Sequence, residues 1–206
     1  MRRVPVLAAF IILVQAGILN ASPDWTAIAD KLGQSIVTVE NTKGSCTGFV
    51  INDHAKGDKD YVLTADHCYG PELYADHALA RAIFRDGKKD LMILEVDDLD
   101  RPAVALAAKN PAQGDEVASL GFGYALEKPM LRIAHISNPA ISLPEMEGNP
   151  YVMIDAGYVP GQSGGPNVNA SGEVVSIVQA ASGLVGIGQG TEAIRDRIHR
   201  YLPKKP

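Results

Sequence analysis

Between residues 35 and 188 the chain is a succession of short apolar runs cut by turn formers. Segments 35–40, 46–51, 61–65, 79–85 and 91–96 carry the alternation or unbroken apolarity of strands. Asn41-Thr42-Lys43-Gly44, Gly57-Asp58 and Asp86-Gly87 supply turns among them, and 52–60 reads as a polar hairpin connection. The charged stretch Asp97-Asp98-Leu99-Asp100-Arg101-Pro102 then interrupts the pattern; its spacing matches no calcium loop, and it reads as a solvated linker between two halves. Segments 116–120, 130–136, 151–155, 173–180 and 184–188 resume the strand pattern. Helical spacing is confined to two places. Residues 25–32 predict a short helix with Asp24 near its N-cap; at 191–202, Ile194, Ile198, Tyr201 and Leu202 share one face, Thr191 stands at the cap and Pro203 stops the helix. Many short strands with one terminal helix predict an all-β sandwich or barrel architecture.

Ahead of this pattern, Met1-Arg2-Arg3 precede an apolar run from Val4 to Leu19, and small residues follow at Ala21 and Ser22. That order predicts a secretory signal peptide over 1–21, cut near Ala21. Leu19 is not the small residue preferred three positions before such a cut, so an uncleaved anchor stays open as the alternative, although the run is short for a spanning helix. The roughly 185 residues that remain suffice for one large core or two small ones packed together. A net charge of −5 without a basic cluster argues against a nucleic-acid partner. The expectation is therefore a secreted protein, extracellular or periplasmic, monomeric and free of the membrane once the signal is removed. Cys46 and Cys68 are the chain's only cysteines, and behind a signal peptide they read as one disulfide; two buried free thiols are the alternative.

The candidate chemistry gathers on Pro160-Gly161-Gln162-Ser163-Gly164-Gly165-Pro166. Glycines on both sides of a serine let the backbone turn sharply while one hydroxyl stays open, and the amides of Gly161 and Ser163 can converge on a developing oxyanion. Ser163 is a poor nucleophile at its own pKa and needs a base. His67, in Tyr61-Val62-Leu63-Thr64-Ala65-Asp66-His67-Cys68, is the candidate base, and Asp90, opening Asp90-Leu91-Met92-Ile93-Leu94, is the candidate acid that would orient it. His77 lacks the apolar lead-in, His54, His135 and His199 sit in polar or helical surroundings, and Asp86 before Gly87 fits a turn better than a site. A Gly-x-Ser-x-Gly run also permits an α/β-hydrolase elbow, but Pro166 and a strand-like run follow the serine where that fold needs a helix.

The chain resembles the chymotrypsin-fold (trypsin-like) serine proteases, and among them the HtrA-like trypsin-type peptidases. Thr64-Ala65-Asp66-His67-Cys68, Asp90-Leu91-Met92-Ile93-Leu94 and Gly161-Gln162-Ser163-Gly164-Gly165-Pro166 are similar to that family's histidine, aspartate and nucleophile motifs, and the resemblance runs over residues 25–202. It implies two packed antiparallel six-stranded β-barrels with a C-terminal helix. Residues 22–100 would form the N-terminal barrel carrying His67 and Asp90. Residues 101–206 would form the C-terminal barrel carrying Ser163 and the helix, the two making one peptidase domain. It implies a Ser163-His67-Asp90 triad, an oxyanion hole at Gly161 and Ser163, a Cys46–Cys68 disulfide beside the histidine, and protein or peptide substrates. No metal or organic cofactor is implied. Gly157, Tyr158, Gln179, Ala180 and Ala181 would surround the primary specificity pocket.

Several departures qualify the resemblance. No Ile-Val-Gly-Gly segment is present, and Gln162 stands where trypsin-type zymogens carry the aspartate that pairs with a new N-terminus, so no activation cleavage is expected. With the sequence running to Pro206, the PDZ domain of HtrA proteins is not expected. No acidic residue stands where it would select Lys or Arg, and Val178 replaces the histidine of glutamate-specific relatives. Tyr158 is expected to fill part of an apolar pocket and to favour small or medium uncharged side chains. A catalytically silent binding module and an esterase are the alternatives to a serine endopeptidase. The sequons Asn169-Ala170-Ser171 and Asn20-Ala21-Ser22 read as a hairpin turn and as part of the cleavage region.

Overall fold

The protein is described from a computed structural model that covers residues 22–51, 59–144, 146–148 and 150–202. The expected signal peptide, most of the sequon at 20–22, His54 and most of the 52–60 connection lie outside the described residues. Helix α1 (Trp25–Gly33) starts as the sequence suggests, with the Asp24 carboxylate accepting the Ala27 N–H at 3.0 Å. Six strands follow: β1 (Ile36–Asn41), β2 (Gly44–Val50), β3 (Lys59–Thr64), β4 (Tyr74–Ala75), β5 (Ala78–Asp86) and β6 (Leu91–Asp97). They close into a barrel in the order β1-β2-β3-β6-β5-β4, every neighbouring pair antiparallel.

The period of two along these strands sorts side chains into two cores. Val37, Val39, Val50, Val62, Met92, Leu94 and Val96 fill the barrel, while Ile36, Phe49, Leu63, Leu91 and Ile93 face the other half of the molecule. Strand β6 is thus covered on both sides, which is why Leu91-Met92-Ile93-Leu94 reads as unbroken apolar sequence.

The second half comprises β7 (Glu116–Gly121), β8 (Met130–Ile141), β9 (Tyr151–Ile154), β10 (Pro166–Val168), β11 (Val174–Ile177), β12 (Ala180–Ser182) and β13 (Val185–Gly188), then helix α2 (Thr191–Tyr201). It corrects the expected second six-stranded barrel: these strands form an open seven-stranded sheet in the order β11-β10-β7-β8-β9-β13-β12. The sheet curls far enough for Ile177 N–H to donate to Gln189 O and Gln179 N–H to Ile187 O, both at 3.1 Å. Closure stops there because Val178 pairs instead with the loop before β10, donating to Gly165 O and accepting from Gly164 N–H. The Gln189 N–H in turn goes to the Gln179 side chain at 2.8 Å. The expected strand over 173–180 is for the same reason split into β11 and β12.

Ala118, Leu120, Val168 and Ile177 of this sheet meet Phe49, Leu63, Leu91 and Ile93 of the barrel in one core, joined by Trp25, Leu32 and Ile194 of the two helices. Gly190, not Thr191, occupies the N-cap of α2. The Thr191 hydroxyl instead donates to Ala107 O at 3.1 Å, a buried tie to the segment that precedes β7.

Candidate active site

The register of β3 on β6 brings the base and its acid together. Thr64 pairs with Met92, so chain leaving β3 and chain entering β6 run side by side at the same barrel rim. A single tight turn, Asp66–Cys68, turns His67 outward while Asp66 and Cys68 face in. His67 Nδ1 lies 2.8 Å from Asp90 Oδ2, and the His67 backbone N–H donates to Asp90 Oδ1 at 2.8 Å. The hydrogen bond to Asp90 raises the His67 pKa above its ordinary value; burial opposes the rise, and the Asp90 and Asp66 charges add to it.

Asp90 sits at φ +51, a left-handed backbone unusual for a residue other than glycine. The surroundings that hold it there come from the second half. Gln179 Nε2 donates to the carbonyls of Lys89 and Asp90 at 2.7 and 2.5 Å, and Lys89 Nζ donates to Gly148 O. Asp86, expected in a turn, accepts the Lys88 and Lys89 amides through Oδ1 while Oδ2 takes Arg197 Nε of α2 at 2.8 Å.

Cys46 and Cys68 form a disulfide that joins β2 to the histidine turn. Their sulfurs and His67 are close enough to share a metal ion, but sulfurs joined to each other do not offer the thiolates a metal would bind. On the opposite side of the turn, Arg85 clasps Asp66 through Nε (2.7 Å) and Nη2 (3.0 Å) and lies 3.6 Å over the Tyr69 ring.

Ser163 stands in the loop between β9 and β10, and the next residue, Gly164, packs closely against Thr64 and Ala65, the end of β3 and the start of the histidine turn. A Cβ on Gly164 would fall 2.9 Å from Ala65 N. Gly161 takes φ +94, and a side chain there would strike Phe122 O, so only glycine fits. Buried Gln162 closes this turn on itself, its N–H donating to Val159 O at 3.1 Å and its Oε1 accepting the Val159 N–H at 3.0 Å. In a trans peptide N–H and C=O point opposite ways. Tyr124 N–H holding Pro160 O at 2.7 Å therefore aims the Gly161 amide away from Tyr124, and Gly165 N–H holding Gln162 O at 3.0 Å does the same for the Ser163 amide. Among the described residues neither amide donates a hydrogen bond, and none joins Ser163 Oγ to His67.

Beside Ser163 lies a cavity of about 200 Å³ lined by Tyr158, Val159, Pro160, Val178, Gln179, Ala180 and Ala181. The Tyr158 ring crosses it so closely over Gly186 that a Cβ there would be 2.2 Å from the ring. Its hydroxyl donates to Asn167 Oδ1 at 3.0 Å, within a buried group where Ser119 Oγ and Ser176 Oγ bond the same amide. Burial pushes the phenol far above its ordinary value, against the hydrogen bonds with Ser119 and Asn167. Gly157, expected around the pocket, is not part of this lining; a Cβ on it would fall 2.4 Å from Gly183 O. Gln179 borders the space, yet its side-chain amide is committed to the Asp90 turn. A larger hollow, about 380 Å³, lies between α1, residues 103–105 and 170–172, with no candidate catalytic residue in its lining.

Of the other described histidines, His77 is 3.6 Å from Glu40 and His135 lies between Glu116 and Asp155. Sequence reasoning missed Thr47, Tyr124 and the Asp66–Arg85 pair. The one available signal was Asp66 itself, the charged residue immediately before His67, where the resembled family's Thr-Ala-Ala-His-Cys motif has alanine.

A closed barrel packed on a curled antiparallel sheet, with histidine and aspartate on one and serine on the other, is a chymotrypsin-like fold. The chain belongs to the trypsin-like peptidase domain family, whose model matches residues 46–177. It is 29% identical over 147 residues to a probable periplasmic DegP-like serine endoprotease of Pseudomonas savastanoi pv. phaseolicola, a match covering 66% of this chain and 29% of that one. A counterpart from Hahella chejuensis is 27% identical over 146 residues, covering 67% and 30%. The chain thus spans under a third of the length of these relatives. Two solved structures share the fold. The active form of the Rv3671c protease of Mycobacterium tuberculosis has a TM-score of 0.73 at 24% identity, covering 98% of this chain and 96% of that one. The HtrA-type protease AlgW with tripeptide has a TM-score of 0.74 at 20% identity, covering 86% and 63%.

Proposed function

We propose that the protein is a secreted serine endopeptidase, extracellular or periplasmic, that cleaves protein or peptide substrates through an acyl-enzyme. The observation that carries this reading is the double hold of Asp90 on His67, beside a serine loop whose Gly161 and Ser163 amides are left without partners. With Asp90 accepting from Nδ1–H, the lone pair of His67 is on Nε2, the nitrogen that takes a proton from Ser163 Oγ as it attacks the scissile carbonyl. The two amides receive the negative charge that develops on the carbonyl oxygen. His67 then gives the proton to the leaving amine, and water completes a second round of the same steps on the acyl-Ser163 ester.

The self-closed Gln162 turn supports a site that needs no new N-terminus for its assembly. The Tyr158 ring across the cavity, with Ala180 and Ala181 at its rim and no charged group among the described residues that line it, supports preference for small or medium uncharged residues before the cleaved bond. The DegP-like relatives are described as periplasmic, which agrees with a signal peptide over 1–21.

The test is turnover of paired peptide amide and ester substrates by the mature protein and by Ser163→Ala. Amide cleavage lost in the variant supports an endopeptidase. Ester cleavage alone indicates an esterase, and no turnover of either indicates a silent binding module.

A further inference from the structure

Thr47 is the residue of β2 that follows Cys46, and it has no exposed surface. All of its polar groups bond to the candidate site. Its N–H donates to Ser163 O at 2.8 Å, and its carbonyl accepts from Thr64 Oγ1 at 2.8 Å. Its hydroxyl donates to Gly161 O at 2.8 Å and accepts from Phe122 N–H at 2.9 Å. The hydroxyl bonds span 114 and 75 residues of sequence, so a barrel side chain reaches across to the second half's loop.

We propose that Thr47 is a positioning residue that aligns the oxyanion hole with the nucleophile, a role that rests on Ser163 being the nucleophile. Four successive peptide planes run from Pro160 to Gly164. The two that carry the Gly161 and Ser163 amides are held by Tyr124 and Gly165, and the two that alternate with them, through Gly161 O and Ser163 O, are held by Thr47. Gly161 is where this chain of planes turns most easily, because glycine lacks the Cβ that restricts φ and ψ. The Thr47 hydroxyl restricts that freedom by holding the plane on the C-terminal side of Gly161 at its carbonyl, while Val159 O holds the same plane at the Gln162 N–H. The same side chain orders Phe122, at the base of the turn whose Tyr124, at φ +56, holds the plane on the N-terminal side. One hydroxyl therefore bears on both planes at Gly161.

The role predicts a rate effect with little binding effect. Removing one oxyanion donor outright costs roughly 10²–10³ in kcat, and loosening one through its support is expected to cost less, about 10–100-fold, the scale seen for groups that orient a functional residue from behind. Thr47→Val keeps the shape and deletes the hydroxyl. Its kcat is expected to fall by about 10–100-fold, with KM within about twofold and the acidic limb of the kcat/KM profile unmoved, since Thr47 does not touch the His67–Asp90 pair. Thr47→Ser, which restores the hydroxyl, should recover most of the rate. Sites counted by fluorophosphonate titration normalise each value to folded enzyme.

A Thr47→Val enzyme with wild-type kcat, a loss seen in KM alone, or a Thr47→Ser enzyme as impaired as Thr47→Val would overturn the proposal. Where Thr47→Val does not fold, Thr47→Ala takes its place: alanine at least tenfold below serine supports the role, and equality overturns it. A wild type that neither cleaves nor labels overturns the peptidase reading and this role with it; an active wild type matched by Thr47→Val overturns this role alone.

Discussion

Asp90 grips His67 at two points, one carboxylate oxygen on ring Nδ1 and the other on the backbone N–H of the same residue, both at 2.8 Å. The backbone bond fixes the plane of the carboxylate, so the ring bond has one geometry and the ring one tautomer.

Asp90→Asn tests that relationship with minimal change of volume. The asparagine oxygen satisfies the His67 backbone N–H, which turns its NH2 toward Nδ1 and drives the ring proton to Nε2, where a base must be bare. The expected outcome is a fall in kcat of about 10³–10⁴-fold with the fold retained. Steady-state kinetics beside a thermal melt would check it, and near-wild-type kcat would contradict it.

The raised His67 pKa sets the pH dependence. His67 acts as base only when neutral, so the acidic limb of kcat/KM is expected above the ordinary histidine value of about 6.5. Asp66→Asn, which deletes one of the charges that raise it, is expected to move that limb toward lower pH. For stability, the folded state favours the protonated ring. That contribution is complete below the unfolded value and is lost as pH climbs through the raised folded value. The stability gap between wild type and His67→Ala should therefore shrink from pH 5 to pH 9, and a gap that widens would refute the pairing.

Gln179 distinguishes support from lining. Its side chain holds the carbonyls of Lys89 and Asp90, so Gln179→Leu is expected to lower kcat by about tenfold or more as the left-handed Asp90 turn loosens. The choice of residue before the cleaved bond should be unchanged. A shift in cleavage preference with kcat intact would return Gln179 to the pocket wall.

Tyr158 is expected to set the size limit. Tyr158→Ala should admit larger apolar residues before the cleaved bond and should cost stability, because Asn167 loses a buried partner and the ring leaves a void. About 3–5 kcal/mol is usual for such aromatic truncations. A peptide library read by mass spectrometry measures the first effect and denaturant melts the second. Wild-type cleavage chiefly after Arg, Lys or Glu would remove the basis for this assignment.

The parts of the fold legible in the sequence were those where one residue's chemistry or one period dominates. Leu91 to Leu94 announced a strand, Asp24 announced a helix start, and Asp86 before Gly87 announced a turn. Strands β4, β10 and β12 are two or three residues long and carry no period to read. The open second sheet depends on Val178 pairing with the Ser163 loop and on the Gln179 side chain replacing a main-chain acceptor, tertiary choices with no local signature. Within the candidate site, the serine, histidine and aspartate stood in motifs, whereas the groups that hold them were hidden. Thr47 reads as one more polar residue on a strand until its partners, 75 and 114 positions away, are brought beside it.

The measurement that bears most directly on the account is exposure of the purified mature protein to a fluorophosphonate probe, with the adduct located by mass spectrometry beside a Ser163→Ala control. The account predicts a single adduct on Ser163 that is absent from the control. A folded protein that takes no label, or one labelled equally in the control, would contradict an assembled Ser163-His67-Asp90 site.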